Sequence, residues 1–211
     1  MPVDVKNREY RSMSALMLPA QPDEGDGPSY RVVGYATTYG DPYLLWDDGE
    51  YGKLYERVER GAIDAATDVS DVIMQYDHQG KVLARNSNGT LLLFPDDEHG
   101  LRVEADLSRS AASREMFEEI QNGLVTRMSW AFRVDRESMD RDRDARTRTR
   151  SITHVSKIFD VSAVSIPAND ATEISARSYF DGAIGEAQRE SLRRERCLAA
   201  ASARLRLLRL E

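Results

Sequence analysis

The chain has 211 residues, 41% of them hydrophobic and 31% charged, which suffices for one globular core with an appendage. A formal net charge of −7 argues against a nucleic-acid binder, because phosphate affinity needs a basic surface. The single cysteine, Cys197, excludes an internal disulfide and a cysteine metal cluster. Since neither a secretory signal nor an apolar run near ~18 residues is present, we expect a cytoplasmic protein with no membrane partner.

The first part of the chain predicts short strands separated by loops. Apolar, β-branched and aromatic residues predict strands, in chain order, at SALMLPA, YRVVGYATTYG, KLYERV and VIMQYDHQG. Between them we expect a long loop at DPYLLWDDGEYG and a short helical segment at ERGAIDAAT.

The middle of the chain predicts a hairpin, a helix and three more strands. TLLLFPDDEHGLRVEADL is typical of a hairpin whose turn is Pro95–Gly100. Ser110 is the predicted N-cap of an amphipathic helix that ends near Gly123. The further strands are predicted at VTRMSWAFRV, SITHVSKI and FDVSAVSIP. The charged run RESMDRDRDARTRTR has almost nothing to bury and predicts a mobile loop.

These elements favour a mainly β fold with helices. We expect an N-terminal segment at residues 1–29, a β domain at 30–175 and a helical tail at 176–211. Roughly seven strands with helical decoration favour a closed barrel or a sandwich. In the tail, apolar residues with 3-4-3 spacing suit either a partner helix or packing on the same domain. These residues are Leu198, Ala201, Leu205 and Leu208.

Three polar residues on or beside predicted strands could carry chemistry. His78 continues one face of its strand past the strand end, although a lone histidine there is commonly an ordinary boundary residue. Strand alternation places Ser129 on a polar, accessible face, where it could equally be a plain surface serine. Asp160 interrupts an apolar strand, and a buried carboxylate needs a partner: an imidazole, an arginine or backbone N–H groups.

Serine, histidine and a carboxylate together can form an activated nucleophile, because a neutral imidazole takes the hydroxyl proton and the carboxylate orients the imidazole. The chain order here is histidine, serine, acid, and the GxSxG elbow of many hydrolases is absent from the sequence. Spacing alone therefore leaves the assignment open.

An ordered set of blocks resembles the prohead maturation serine proteases of tailed bacteriophages. The blocks are ERGAID, QYDHQGKVLAR, GTLLLFPDDEHGLRVEADL, NGLVTRMSWAFRV and FDVSAVSIPANDA. The resemblance covers residues 30–172. This family is distantly similar to the herpesvirus assembly proteases. That similarity implies a closed, mostly antiparallel β-barrel surrounded by helices.

The resemblance implies catalytic roles for His78, Ser129 and Asp160, which match the family's histidine, serine and acidic positions. Ala131 stands where the family block has a glycine. The third catalytic member of the viral relatives is a second histidine, which makes His154 a competitor of Asp160, and we prefer Asp160. We expect His99 to be a solvated turn residue. The family pattern requires no cofactor and no metal.

The resemblance also implies a function and partners. We expect a serine endopeptidase that cleaves the scaffolding segment of the major capsid protein, and itself, inside the procapsid in the host cytoplasm. Self-cleavage could remove the C-terminal tail, and a homo-oligomer is compatible with this function. The alternative is a non-catalytic capsid-assembly or scaffold-like protein that binds through the C-terminal helix.

Overall fold

The computed structural model describes residues 8–16, 18–19, 30–47 and 52–165, all in the first of two units of the chain, Met1–Glu173. The expected C-terminal helix and the Pro167–Asn169 block lie outside the described residues. The strands are β1 (Glu9–Leu16), β2 (Leu18–Pro19), β3 (Arg31–Thr38), β4 (Tyr43–Asp47), β5 (Lys53–Val58), β6 (Ile73–Tyr76), β7 (Gln79–Arg85), β8 (Leu91–Phe94), β9 (Gly100–Asp106), β10 (Arg127–Asp142) and β11 (Thr147–Val164). A 3-10 turn spans Asn86–Asn88, and the helix α1 spans Ala111–Gln121.

Seven strands form the first sheet, in the order β1-β10-β11-β5-β4, with β6 and β7 branching from it. The long strand β11 pairs along one edge with β10, antiparallel. Its other edge pairs in parallel with β5 over Thr147–Ile152 and with β6 at Asp160 and Ala163. β11 therefore joins every other part of this sheet, with the start of β6 opposite Asp160 and its end opposite Ala163.

The second sheet has four antiparallel strands in the order β2-β3-β9-β8. Helix α1 begins where the Ser110 hydroxyl accepts a hydrogen bond from the Ser113 backbone N–H, and Gly123 follows it with a φ of 72°. The helix buries Met116, Phe117 and Ile120 in a core that also receives side chains from both sheets.

The expected closed barrel surrounded by helices is wrong. Among the described strands, β1 and β4 end one sheet and β2 and β8 end the other, so no pairing joins a last strand to a first. The cause is a branch at β11. Two strands, β5 and β6, pair with different parts of the same edge of β11, so the sheet divides in two and does not close. One α-helix accompanies the strands in the described ranges. The fold is mainly β, built from two open sheets.

Several element predictions are confirmed and three are wrong. The hairpin of β8 and β9, the helix α1 and the strand β5 lie where the sequence predicts them. β4 lies inside the expected loop DPYLLWDDGEYG, and ERGAIDAAT forms turns without a helix. The charged run predicted to be a mobile loop instead extends β10 and β11 into a long hairpin.

Candidate active site

His78 lies in the two-residue turn that joins β6 to β7. Tyr76 pairs with Gln79 across this turn, and both intervening residues have a left-handed backbone, with φ of 46° at Asp77 and 58° at His78. Such a turn matches the twist of a tight hairpin, and aspartate and histidine are among the non-glycine residues that tolerate it best. The turn brings the imidazole within hydrogen-bonding distance of side chains on β10 and β11.

Asp77 fixes the turn to the end of β11. Its backbone N–H donates to the carbonyl of Ala163, at 2.9 Å. Its carboxylate accepts from the Ser165 backbone N–H at 3.1 Å and from the Ser165 hydroxyl at 3.0 Å. These three bonds hold the His78 backbone beside the strand that carries Asp160.

Asp160 lies on β11 and is 2% exposed. Its Oδ1 is 2.5 Å from His78 Nδ1 and accepts a second hydrogen bond from the Ser162 hydroxyl at 2.8 Å. An ionised carboxylate can only accept, so Nδ1 carries the hydrogen and Nε2 of the neutral ring is left as an acceptor. Of the partners that the sequence left open for this carboxylate, the structure places an imidazole there.

Ser129 lies on β10, with its Oγ 2.6 Å from His78 Nε2. The structure thus brings the three candidate residues into one hydrogen-bonded chain from hydroxyl to imidazole to carboxylate. Ala131, in the place of the family's glycine, pairs with Asp160 in the same ladder. The three residues come from β10, β11 and the β6–β7 turn, and β11 is paired with both β10 and β6.

The expectation of an accessible Ser129 is wrong, since the residue is 1% exposed. β1 pairs with β10 along the stretch that contains Ser129, and Ser12 lies opposite Ser129 in the ladder. The Ser129 hydroxyl also donates to the Arg11 backbone carbonyl at 2.9 Å, and the Tyr10 ring meets the His78 ring edge-to-face at 4.8 Å. Because a hydroxyl has one hydrogen, the Arg11 carbonyl and His78 compete for it.

The other two histidines do not join this chain of hydrogen bonds. Both ring nitrogens of His154 face aspartates, with Nδ1 2.5 Å from Asp135 and Nε2 3.3 Å from Asp64. His99 is a 77% exposed side chain in the β8–β9 turn, near Asp97.

A buried ion cluster forms around the Arg11 side chain of β1. Arg11 donates to both carboxylate oxygens of Glu56, at 2.6 and 2.9 Å, and Arg150 donates to Glu56 at 2.7 Å. Burial by itself would raise the pKa of Glu56, but the two guanidinium groups and the Tyr43 hydroxyl outweigh burial and lower the pKa to about 2. Glu56 likewise raises the pKa of Arg11 against the opposing effect of burial. All three groups of this Arg11–Glu56–Arg150 cluster are therefore charged at neutral pH.

Sequence analysis missed three residues at the site: Tyr10, Arg11 and Ser162. Ser162 could have been found, because it follows Asp160 at the two-residue spacing that places both side chains on one face of a strand. Tyr10 and Arg11 carry no such signal, since their place depends on the pairing of β1 with a strand more than a hundred residues away.

The described residues contain no cluster of three or more acidic, histidine or cysteine side chains that could hold a metal. Within the same ranges, no helix is long and apolar enough to cross a membrane.

A hydroxyl, an imidazole and a buried carboxylate linked in this order are the groups by which serine hydrolases generate a nucleophile. The comparisons with known proteins agree with this class. The model of the family described as caudovirus prohead serine protease matches residues 17–182. The chain belongs to this family, whose activity is that of serine peptidases in phage capsid maturation. The comparisons with curated proteins and with solved structures each found no significant match.

Proposed function

We propose that this chain is a serine endopeptidase in which Ser129 is the nucleophile, His78 the general base and Asp160 the group that orients His78. The observation that supports this assignment is the unbroken hydrogen-bonded chain, with 2.6 Å between Oγ and Nε2 and 2.5 Å between Nδ1 and Oδ1. In this chain the imidazole can take the hydroxyl proton, and the carboxylate can stabilise the imidazolium that results.

In the first step, Ser129 Oγ attacks the carbonyl carbon of the scissile peptide bond while His78 Nε2 takes its proton. His78 then gives that proton to the leaving amine as the C–N bond breaks, which leaves an ester on Ser129. A water molecule, deprotonated by His78, hydrolyses the ester and restores the hydroxyl. General-base help of this kind is typically worth ~10²–10⁴ in rate.

The substrates that we propose follow from family membership. They are the scaffolding segment of the major capsid protein and the protease chain itself, cleaved inside the procapsid in the host cytoplasm. Self-cleavage would include removal of residues 176–211.

Labelling with a serine-directed fluorophosphonate, together with co-expression with the capsid protein, tests this function. The wild type should label at Ser129 and trim the capsid protein, with the cut ends read by mass spectrometry. Ser129→Ala should do neither. Ser156→Ala, which removes a β11 hydroxyl that donates to the Arg133 carbonyl at 3.2 Å, should retain both. A wild type that neither labels nor trims any protein would overturn the proposal.

A further inference from the structure

Three consecutive residues of β1 contact the candidate active site or the ion cluster beside it. Glu9 contacts Arg150, Tyr10 covers the His78 ring, and Arg11 places its carbonyl on the Ser129 hydroxyl. β1 is also the end strand of its sheet, so it occupies the edge of β10 that an added peptide strand would occupy. This segment precedes residues 17–182, the range that the family model matches.

The backbone of β1 pairs with β10 and passes the Ser129 hydroxyl at the Arg11 carbonyl. The Arg11 carbonyl oxygen is 2.9 Å from Ser129 Oγ. The carbonyl carbon is thus within about 4 Å of the nucleophile, because a C=O bond is only about 1.2 Å long. This carbonyl belongs to the peptide bond between Arg11 and Ser12. For Oγ to attack that bond, the hydroxyl hydrogen has to turn from the Arg11 oxygen to His78 Nε2, which lies 2.6 Å away.

The Arg11 side chain fills a pocket of complementary charge. Its guanidinium makes a two-pronged contact with Glu56, at 2.6 and 2.9 Å, and lies 5.8 Å from the centre of the Phe132 ring. Arg11 is 3% exposed and Glu56 is fully buried. A planar, two-pronged contact of this kind selects arginine over lysine and over any neutral side chain.

Glu9, two residues earlier on the strand, is held by the opposite charge. Its carboxylate accepts from Arg150 at 2.6 and 2.9 Å. Arg150 on β11 and Glu56 on β5 thus bind an acid and an arginine that lie two positions apart on the strand paired with β10. In the whole sequence, Glu-x-Arg occurs once, at Glu9-Tyr10-Arg11.

We infer that this enzyme cleaves after arginine in extended Glu-x-Arg segments, with Glu56 binding the arginine and Arg150 the glutamate. Its own Arg11–Ser12 bond is such a site, so β1 covers Ser129 as a self-substrate until it is cut. The inference rests on the proposed function, since it assigns Ser129 as the nucleophile. It adds a substrate sequence and two specificity residues.

The step at this bond is an ordinary acyl transfer. Ser129 Oγ bonds to the Arg11 carbonyl carbon, and the bond from that carbon to the Ser12 nitrogen breaks. The hydroxyl proton passes through His78 to the new amine of Ser12. Water then hydrolyses the ester, releasing residues 1–11 with a free carboxylate and regenerating Ser129.

Mass spectrometry of the purified full chain tests the inference directly. The wild type should lose residues 1–11 and show a new N-terminus at Ser12. Arg11→Gln should slow this cut at least ~100-fold, and Glu9→Gln should slow it about tenfold, because each substitution removes a charge-assisted contact. Arg11→Lys should fall between Arg11→Gln and the wild type. The control Arg109→Gln, whose exposed guanidinium pairs with Asp106 at 3.3 Å away from β1, should be cut as fast as the wild type.

Circular dichroism separates a slow cut from a damaged fold, and Arg11→Gln should keep the β-sheet spectrum of the wild type. Because β1 covers Ser129 until Arg11–Ser12 is cut, Arg11→Gln should label with the fluorophosphonate as slowly as it is cut. Ser129-dependent cleavage of this chain or of the capsid protein at other sequences, with Arg11–Ser12 left intact, would overturn the inference and leave the proposed function standing. Equal cutting of the wild type and Arg11→Gln would also overturn it. A wild type that neither labels nor cuts any protein would overturn both.

Discussion

Asp160 Oδ1 accepts two hydrogen bonds, one from His78 and one from Ser162. The second bond matters because a buried carboxylate with one partner keeps a desolvated lone pair and is freer to rotate. Ser162 is itself fully buried, so its hydroxyl cannot donate to water instead of to Asp160. Through Asp160, Ser162 therefore fixes the angle at which the carboxylate meets the imidazole.

Ser162→Ala should lower kcat/KM by roughly three- to tenfold, as expected for the loss of one hydrogen bond of about 1 kcal/mol that supports the general base. Cleavage of the capsid protein by purified variants measures this effect. The matched control is Ser151→Ala, which removes another buried β11 hydroxyl that accepts from Arg57 at 2.8 Å, far along the strand from Asp160. Equal rates for the two variants would show that Ser162 does not support Asp160.

The sequence predicts the three candidate catalytic residues of the site, but it does not predict how buried they are or what covers them. Asp160 stands out because a carboxylate in an apolar strand requires a partner, and that signal is local. Alternation along β10 correctly places Ser129 on the opposite strand face from Met128 and Trp130, but it also predicts that the serine is accessible. β1 covers that face, and its pairing is long-range. Whether a strand face is exposed depends on which strand lies next to it, which alternation does not reveal.

At the scale of elements, the β6–β7 turn positions His78. The left-handed conformation at both Asp77 and His78 is strained for residues with a side chain, at roughly 1–3 kcal/mol each. The bonds from Asp77 to Ser165 and Ala163 offset this strain by attaching the turn to β11. These bonds attach the hairpin to the strand that carries the acid.

Asp77→Ala should lower the rate of fluorophosphonate labelling by about tenfold or more, because alanine loses both acceptors and tolerates the left-handed backbone poorly. Asp77→Asn should stay within about threefold of the wild type, since asparagine tolerates this backbone and its amide can still bond to Ser165. Labelling time courses measure both variants. If the alanine and asparagine variants label equally fast, attachment of the turn does not position His78.

Elements with strong local patterns could be predicted, and those stabilised by distant charges could not. Alternation and capping residues identify β5, the β8–β9 hairpin and α1. The charged run after β10 lacks apolar residues and so resembles a loop. It becomes strand because Arg150 is buried and donates to Glu137 across the hairpin and to Glu9 and Glu56 on other strands. Charge pairs of this kind become visible only once the strands are aligned.

At the scale of the whole molecule, the Arg11–Glu56–Arg150 cluster joins three strands of the first sheet. Arg11 comes from β1, Glu56 from β5 and Arg150 from β11, so the cluster links the end strand to the centre of an open sheet. A closed barrel secures its strands by pairing all around, whereas two open sheets leave edges that need other contacts. Here, buried ion pairs provide such contacts beside the candidate active site.

Protonation of Glu56 in acid should therefore lower the free energy of unfolding. Its pKa in the folded state, about 2, lies below its ordinary value of 4.5, so its contribution is complete above pH 4.5 and is lost as the pH falls toward 2. That contribution is about 3 kcal/mol. Urea unfolding from pH 7 to pH 2 should show this loss in the wild type.

Glu56→Gln should be less stable at pH 7, because it leaves two buried guanidinium groups without a carboxylate, and it should lose less stability on acidification. The exposed control Glu115→Gln should follow the wild type at every pH. If Glu56→Gln keeps the full acid dependence, other carboxylates govern acid unfolding.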